Sequence, residues 1–210
     1  MTPDGRTAAA AMTGGPSDAA AAEPRRSSVR YPGGLAARYR WTNSGGMAGI
    51  VALSEAGGTL VDHGALVAAE PDRLCRAELR VEGPLGTWTA RFASVIFDEP
   101  QGVLWDTPGL LLVRYGFRVY ALAARTGELR WTRDGGTPVV ALLASSRLDH
   151  VIVQSEVETL ALDAAGEVVW RVPHAEVIAE AELVGGRLVL SGWGGAHLAL
   201  DPATGRSADA

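Results

Sequence analysis

A turn glycine recurs in this sequence at a fixed spacing of 39 residues, at Gly127, Gly166 and Gly205. Trp131 and Trp170 are also 39 residues apart, so each follows one of these glycines by four positions. A period near 40 residues is typical of a β-propeller, in which each unit is a blade of four short strands. The glycine supplies a positive φ that other residues adopt only at a cost, and the tryptophan can cover the gap between neighbouring sheets.

The rest of the chain fits this reading from Leu35 onward. Short runs rich in Val, Leu, Trp and Tyr alternate there with turn residues, and no run has the pattern of a long helix. The sequence therefore predicts an all-β fold, a small or partial β-propeller of about four four-stranded units over residues 34–210. Residues 1–33 are rich in Ala, Gly, Pro, Ser and Arg with few large apolar side chains, which predicts a disordered tail.

Two more tryptophans extend the repeat towards the N-terminus. Trp88 lies 43 residues before Trp131, and Trp41 lies 47 residues before Trp88. The unit that ends near Gly205 lacks a fourth strand, whereas strand 36–42 has no three strands before it. We therefore expect the N-terminal strand to complete and close the last unit, because a ring leaves no open strand edge. The alternative is a homodimer in which each open end pairs with a second chain.

The motif within each unit carries a family resemblance. The segments YALAARTGELRW (120–131), LALDAAGEVVW (160–170) and LALDPATG (198–205) follow an aromatic-A-L-D-x-x-T-G-x-x-x-W pattern with small departures. They resemble the repeat of pyrroloquinoline-quinone-type propellers over about residues 93–205, and more weakly over 35–92. That resemblance implies the fold and leaves function open, because the family includes quinone-dependent alcohol and sugar dehydrogenases as well as cofactor-free scaffolds. Its enzymes enclose the quinone in about eight blades, twice what this sequence supplies.

Composition limits the classes of function. The net charge is −5 and the pI is about 5.4, which argues against binding to nucleic acid or to anionic membranes. No stretch of 18 apolar residues predicts a membrane span, and the N-terminus lacks the apolar core of a secretory signal, so we expect a cytoplasmic protein. Cys75 stands alone, which excludes an intramolecular disulfide, and we interpret it as a small apolar side chain in a strand.

The sequence offers no residue set that would run a reaction. None of the histidines has metal-ligand spacing; they are His63, His150, His174 and His197. Asp98, Glu99 and Asp106 could bind Ca²⁺ or act as acid and base, but a polar loop explains them better. SGWGG at 191–195 lacks the spacing of a phosphate-binding loop and of a nucleophile elbow. We therefore predict that the protein is not an enzyme and that it has neither a cofactor nor a metal site.

The best candidates for binding are residues in equivalent turns of successive units and tryptophans outside the repeat phase. Equivalent turns lie on one face of a propeller, and loops on a rigid scaffold commonly carry binding. The candidate partner-binding residues are Trp105, Arg114, Tyr115, Glu156 and Trp193. The favoured function is a non-catalytic scaffold that recognises a protein partner through loops on one face. The alternative is a quinone-dependent dehydrogenase-like or other small-molecule-binding propeller that acts as a dimer.

Overall fold

A computed structural model describes residues 23–42, 59–62 and 75–208. These residues form an all-β, propeller-like fold of four sheets that follow one another along the chain, as the sequence predicts. We call the sheets blades 1 to 4.

Each blade takes its strands from one continuous stretch of the chain. Blade 1 contains β1 (Arg25–Tyr31), β2 (Leu35–Thr42), β3 (Thr59–Asp62), β4 (Cys75–Gly83) and β5 (Gly86–Ser94). Blade 2 contains β6 (Gln101–Trp105), β7 (Leu110–Tyr115), β8 (Arg118–Ala123) and β9 (Leu129–Asp134). Blade 3 contains β10 (Val139–Leu143), β11 (Val151–Ser155), β12 (Glu158–Leu162) and β13 (Val168–Pro173). Blade 4 contains β14 (Ile178–Val184), β15 (Arg187–Gly192) and β16 (His197–Leu200).

Blades 2 and 3 are four-stranded antiparallel meanders, and the two outer blades depart from that plan. Blade 1 has the order β1-β2-β4-β5-β3, in which β3 runs parallel to β5. Blade 4 has three strands and the beginning of a fourth, because Ser207 forms a β-bridge with Leu200 and the Ala208 amide donates to the Ala199 carbonyl. The predicted count of four units is therefore met with unequal blades.

The core lies between successive blades. Leu111 and Val113 of β7 pack against blade 1, whereas Leu110 and Leu112 of the same strand pack against blade 3. Because β7 is covered on both faces, all six of its residues are buried and its sequence, LLLVRY, is almost continuously apolar. Blade 2 thus joins its neighbours through two separate apolar layers.

A tryptophan on β5, β9 and β13, which are the fourth strands in the sheet order of blades 1–3, packs against the turn glycine of the next blade. A Cβ atom built on Gly127 would lie 2.5 Å from the Trp88 ring, one on Gly166 2.8 Å from Trp131, and one on Gly205 2.6 Å from Trp170; they are three repeats of one contact. All three glycines have positive φ, between 69° and 83°. Glycine is thus required at this turn both for its backbone conformation and for the space that its missing side chain leaves.

Hydrogen bonds reinforce two of these contacts. The Trp88 Nε1–H donates to the Ala124 carbonyl at 3.0 Å, and the Trp131 Nε1–H donates to the Ala164 carbonyl at the same distance. Trp170 Nε1 has no partner. Between blades 3 and 4, the buried His150 binds the Pro202 carbonyl through Nε2 at 2.8 Å and meets the Trp170 ring edge-on. His150 therefore supplies the hydrogen bond that an indole supplies in the other two contacts.

The structure corrects the predicted closing strand. Strand β2, which contains residues 36–42, is hydrogen-bonded along one edge to β1 and along the other to β4. Both of its edges are thus occupied within blade 1, and it cannot add to blade 4. Trp41 and Trp88 lie in the same sheet, so Trp41 does not mark a blade of its own. No closure between blade 1 and blade 4 is seen in the described residues.

The predicted boundary of the tail at residue 33 is also wrong. Residues 25–31 form β1, followed by a 3₁₀ turn at Pro32–Gly34. Tyr31 anchors this strand, because its hydroxyl donates to the Gly102 carbonyl at 2.8 Å and lies 3.2 Å from the Tyr39 hydroxyl. Residues 1–22 of the predicted tail lie outside the described residues.

We predict that Gly127→Ala destabilises the fold by about 2–5 kcal/mol. About 1–2 kcal/mol comes from the positive φ, and the rest from overpacking against Trp88. Gly136→Ala is the matched control, because Gly136 has a similar φ of 70° but no atom within 4 Å of the added Cβ. It should cost about 1–2 kcal/mol. Urea unfolding of both variants measures the difference, and equal losses would contradict the packing contact.

Candidate functional site

Equivalent turns of blades 2–4 lie on one side of the molecule. We call this side face A; it carries the turns that join the second and third strands of a blade, and face B carries the turns that join the third and fourth strands. The Glu156 amide donates to the Pro138 carbonyl, and the Trp193 amide donates to the Val177 carbonyl. In blade 2 the Gly116 amide makes the same kind of bond to the Asp98 carboxylate. The turns are thus equivalent, as the sequence predicts.

Trp193 is the most prominent side chain on face A. It lies in the turn between β15 and β16 and is 81% exposed. The turn is shaped by its glycines, since Cβ atoms on Gly192 and Gly194 would lie 2.5 Å and 2.7 Å from the Glu176 carboxyl group. The Glu176 side chain therefore packs under the turn, while the Trp193 ring stands in solvent. A large aromatic ring left exposed on an ordered turn is a common feature of binding surfaces.

Trp193 belongs to a small patch that is apolar and acidic. The Trp193 amide donates to the Val177 carbonyl. The amide of Ile178, which follows Val177, donates to the Glu156 carbonyl at 2.7 Å. These bonds bring together two exposed valines, two glutamates and the indole. We call this set the Trp193 patch: Glu156, Val157, Glu176, Val177 and Trp193.

A buried polar network, not expected from the sequence, lies under the Glu156 turn. The Gln154 side chain donates to the carbonyls of Ser155 and Glu158, and the Thr159 hydroxyl donates to Gln154 Oε1. Because the Thr159 hydroxyl uses its only proton in the bond to Gln154, it acts as the acceptor for His174 Nε2–H at 2.7 Å. The sequence signal for this network is the largely polar run QSEVET at 154–159, which joins the apolar parts of β11 and β12. The network fixes the turn that carries Glu156 and Val157.

Arg114 is a structural residue and not part of a binding turn. It lies in β7 with 9% of its surface exposed. Its Nη1 donates to Asp98 Oδ2 and to the Val139 carbonyl, both at 2.9 Å, and its Nε donates to Gln101. The guanidinium therefore ties the loop before blade 2 to the first strand of blade 3. This bonding also gives Asp98 a structural role.

Tyr115 and Trp105 are likewise buried, so the prediction that they lie on a partner-binding surface is wrong. Tyr115 ends β7 inside the core between blades 1 and 2, where burial raises the pKa of its hydroxyl. Trp105 ends β6 inside the core between blades 2 and 3. Tyr115 Oη and Trp105 Nε1 have no hydrogen-bond partner in the structure. Of the five predicted residues, the structure brings Glu156 and Trp193 together on the surface.

The described residues contain neither a metal-binding cluster nor a membrane-spanning helix. No group of three or more His, Cys, Asp and Glu side chains there is arranged to hold a metal ion. No helix in that part of the chain has the length and apolar character needed to cross a membrane.

Comparison with known proteins supports the nature of the repeat. Residues 116–208 match the family model described as outer membrane protein assembly factor BamB. This match confirms the predicted quinoprotein-type repeat from the second half of blade 2 to blade 4. No curated protein sequence matches the chain at a significant level.

Solved structures with similar arrangements include natural and designed proteins. BamB from Moraxella catarrhalis is 25% identical over 56% of this chain and 38% of its own, with a TM-score of 0.44. The dihydro-heme d1 dehydrogenase NirN, in complex with DHE, is 15% identical over 65% of this chain and 33% of its own, with a TM-score of 0.49. The computationally designed Ika4 protein is 10% identical over 69% of this chain and 98% of its own, with a TM-score of 0.47. The chain thus spans much less than two thirds of the two natural proteins.

We predict that Arg114→Ala costs about 3–5 kcal/mol, because it leaves a partly buried carboxylate and a buried carbonyl without their donor. Arg171→Ala is the control. Arg171 pairs with Glu158 at 2.7 Å, but its side chain is 59% exposed. An exposed pair contributes about 0–1 kcal/mol. Chemical denaturation of both variants provides the measurement, and a small loss at Arg114 would refute its structural role.

We also predict a pH-dependent stability that originates at His174. Burial lowers the pKa of His174, and Glu158 opposes this only in part. The unfolded chain therefore binds a proton more readily than the folded one just below pH 6.5, so stability falls as the pH drops from about 6.5 towards the folded pKa. His174→Gln, which removes the titrating group, should flatten this part of the curve. Thermal melts between pH 5 and pH 8 test it, and identical profiles for the two proteins would count against it.

Proposed function

We propose that this chain is a non-catalytic β-propeller scaffold that binds a protein partner through the Trp193 patch. The observation that carries the proposal is the exposure of Trp193 on a turn whose backbone is hydrogen-bonded to the neighbouring segment. An aromatic side chain held in this way loses little entropy on binding, and residues of this type commonly dominate interface energetics. The match of residues 116–208 to an assembly-factor family supports a protein-binding kind of role.

The chemistry of the patch indicates what it would recognise. Trp193, Val157 and Val177 offer an apolar surface, and Glu156 and Glu176 place acidic groups beside it. A complementary partner carries an apolar side chain that covers the indole, flanked by arginine or lysine. The apolar centre supplies most of the affinity, while the charged rim favours the correct partner and the correct orientation.

The cytoplasmic location and the lack of catalysis belong to this proposal as predictions from the sequence. A protein-binding role needs no reactive group, and the sequence contains none of the catalytic motifs considered above. The rigid blades would hold the patch in one geometry, so that the partner meets a preformed surface.

The test uses site-specific photo-crosslinking in the native host. A photoreactive amino acid replaces Trp193 on face A or, as the control, Leu85 on face B, which is 65% exposed in the turn between β4 and β5. The chain has no lysine, so genetically placed probes are preferable to amine-reactive reagents. We expect one protein to crosslink from position 193 and not from position 85.

Affinity measurements with that purified partner then decide the matter. We predict that Trp193→Ala weakens binding by about 2 kcal/mol or more, roughly thirtyfold, whereas Leu85→Ala leaves it unchanged. Both variants should melt within a few degrees of the wild type, because both side chains are exposed. Equal crosslinking from both faces, or unchanged affinity of Trp193→Ala, would show that the Trp193 patch is not the binding site.

A further inference from the structure

Blade 1 has one apolar face and one strongly basic face. Tyr39, Leu79 and Phe92 pack on the core side against blade 2. Alternate residues of the same strands point to the other side, which we call the basic face. Among the side chains that the structure describes, it carries these charged residues: Arg26, Arg30, Arg38, Arg40, Arg76, Arg80, Arg91, Glu78 and Glu82.

Two glutamates of the basic face form ion pairs with three of its arginines. Glu82 is shared by Arg38 and Arg80, at 2.8 Å and 3.2 Å. Glu78 pairs with Arg91 at 3.4 Å. Arg26 and Arg30 are exposed on β1, and a cleft of about 540 Å³ lies over β1, β2 and β4. The basic face thus presents Arg26 and Arg30 to an acidic partner.

The outward face of blade 4 is acidic at the corresponding strand. Ala181 and Leu183 of β14 pack towards blade 3, and the intervening side chains, Glu180 and Glu182, are exposed on the opposite side. We call this side the acidic face; Arg187, which pairs with Val184, lies at its end. β14 is the first strand of its blade, as β1 is the first strand of blade 1.

The net charge of the sequence also differs between blade 1 and the last two blades. Residues 23–94, the part of the sequence that includes blade 1, contain nine arginines and seven acidic residues. Residues 139–208, in blades 3 and 4, contain four arginines and nine acidic residues. The two ends of the row of blades therefore carry opposite charge, which favours head-to-tail contact between copies.

The packing between blades within the chain shows how such a contact would be arranged. In blades 3 and 4 the first strand packs on the first two strands of the blade before it: β10 packs on β6 and β7, and β14 packs on β10 and β11. If blade 1 of a second copy followed blade 4 in the same arrangement, its β1 would pack on β14 and β15. It would place Arg26 and Arg30 opposite Glu180 and Glu182.

We propose that two copies of this chain associate head to tail, with the acidic face of each blade 4 packed on the basic face of the other copy's blade 1. A twofold axis would relate two identical contacts, each between the exposed β1 part of one basic face and the exposed β14 part of one acidic face. This inference is independent of the proposed function, because neither face includes the Trp193 patch.

Charge reversal tests the contact. The first variant carries Arg26→Glu and Arg30→Glu, and the second carries Glu180→Arg and Glu182→Arg. The control reverses two exposed arginines of blade 2, Arg125→Glu and Arg130→Glu, so that the change in net charge equals that of the first variant. Sedimentation velocity in low salt gives the oligomeric state, and circular dichroism confirms that each variant is folded.

The wild type and the control should sediment as dimers, and the first and second variants should each sediment as monomers. An equimolar mixture of the two variants should form a heterodimer, since each basic face then meets an acidic one at both contacts. The wild-type dissociation constant should rise at least about tenfold between low and high salt, because the paired charges are exposed. A monomeric wild type, dimers that survive either reversal, or a mixture that stays monomeric would overturn the proposal.

Discussion

The structure depends on the contact between a tryptophan of one blade and the turn glycine of the next. The indole of Trp88, Trp131 or Trp170 occupies the space that a side chain would need at Gly127, Gly166 or Gly205, which are therefore fixed as glycine. Since each contact joins consecutive blades, it sets their order and their relative orientation. That orientation places the turns of Glu156 and Trp193 on one face, where their side chains can act together. The candidate site is thus a consequence of packing far from it.

The hydrogen bonds that join successive blades are made by different groups in different blades. His150 binds the Pro202 carbonyl between blades 3 and 4, where Trp170 makes no hydrogen bond of its own. In blade 2 the carboxylate of Asp98 accepts the Gly116 amide, a role that a backbone carbonyl has in the next two blades. The repeat therefore keeps the tryptophan and the glycine, while the groups that make the accompanying hydrogen bonds differ from blade to blade.

The sequence predicted the features that depend on local conformation and period. The positive φ of the turn glycines, the equivalence of successive turns and the surface positions of Glu156 and Trp193 follow from spacing alone. Burial was harder to predict. Arg114 and Tyr115 belong to a strand covered on both sides, and no local pattern separates a buried arginine from an exposed one when its partner, Asp98, lies in another loop. The strand at 25–31 was missed because RRSSVRY has a polar face and pairs only once β2 is in place.

Nuclear magnetic resonance of glycine-labelled protein tests the central contact most directly. A glycine held against an indole ring experiences its ring current, so the Hα resonances of Gly127, Gly166 and Gly205 should be displaced from the positions of the other glycines. Trp88→Leu should return Gly127 towards an ordinary shift and leave Gly166 where it is. Ordinary shifts for all three glycines, or an effect of Trp88→Leu on the wrong glycine, would contradict the stacking of successive blades described here.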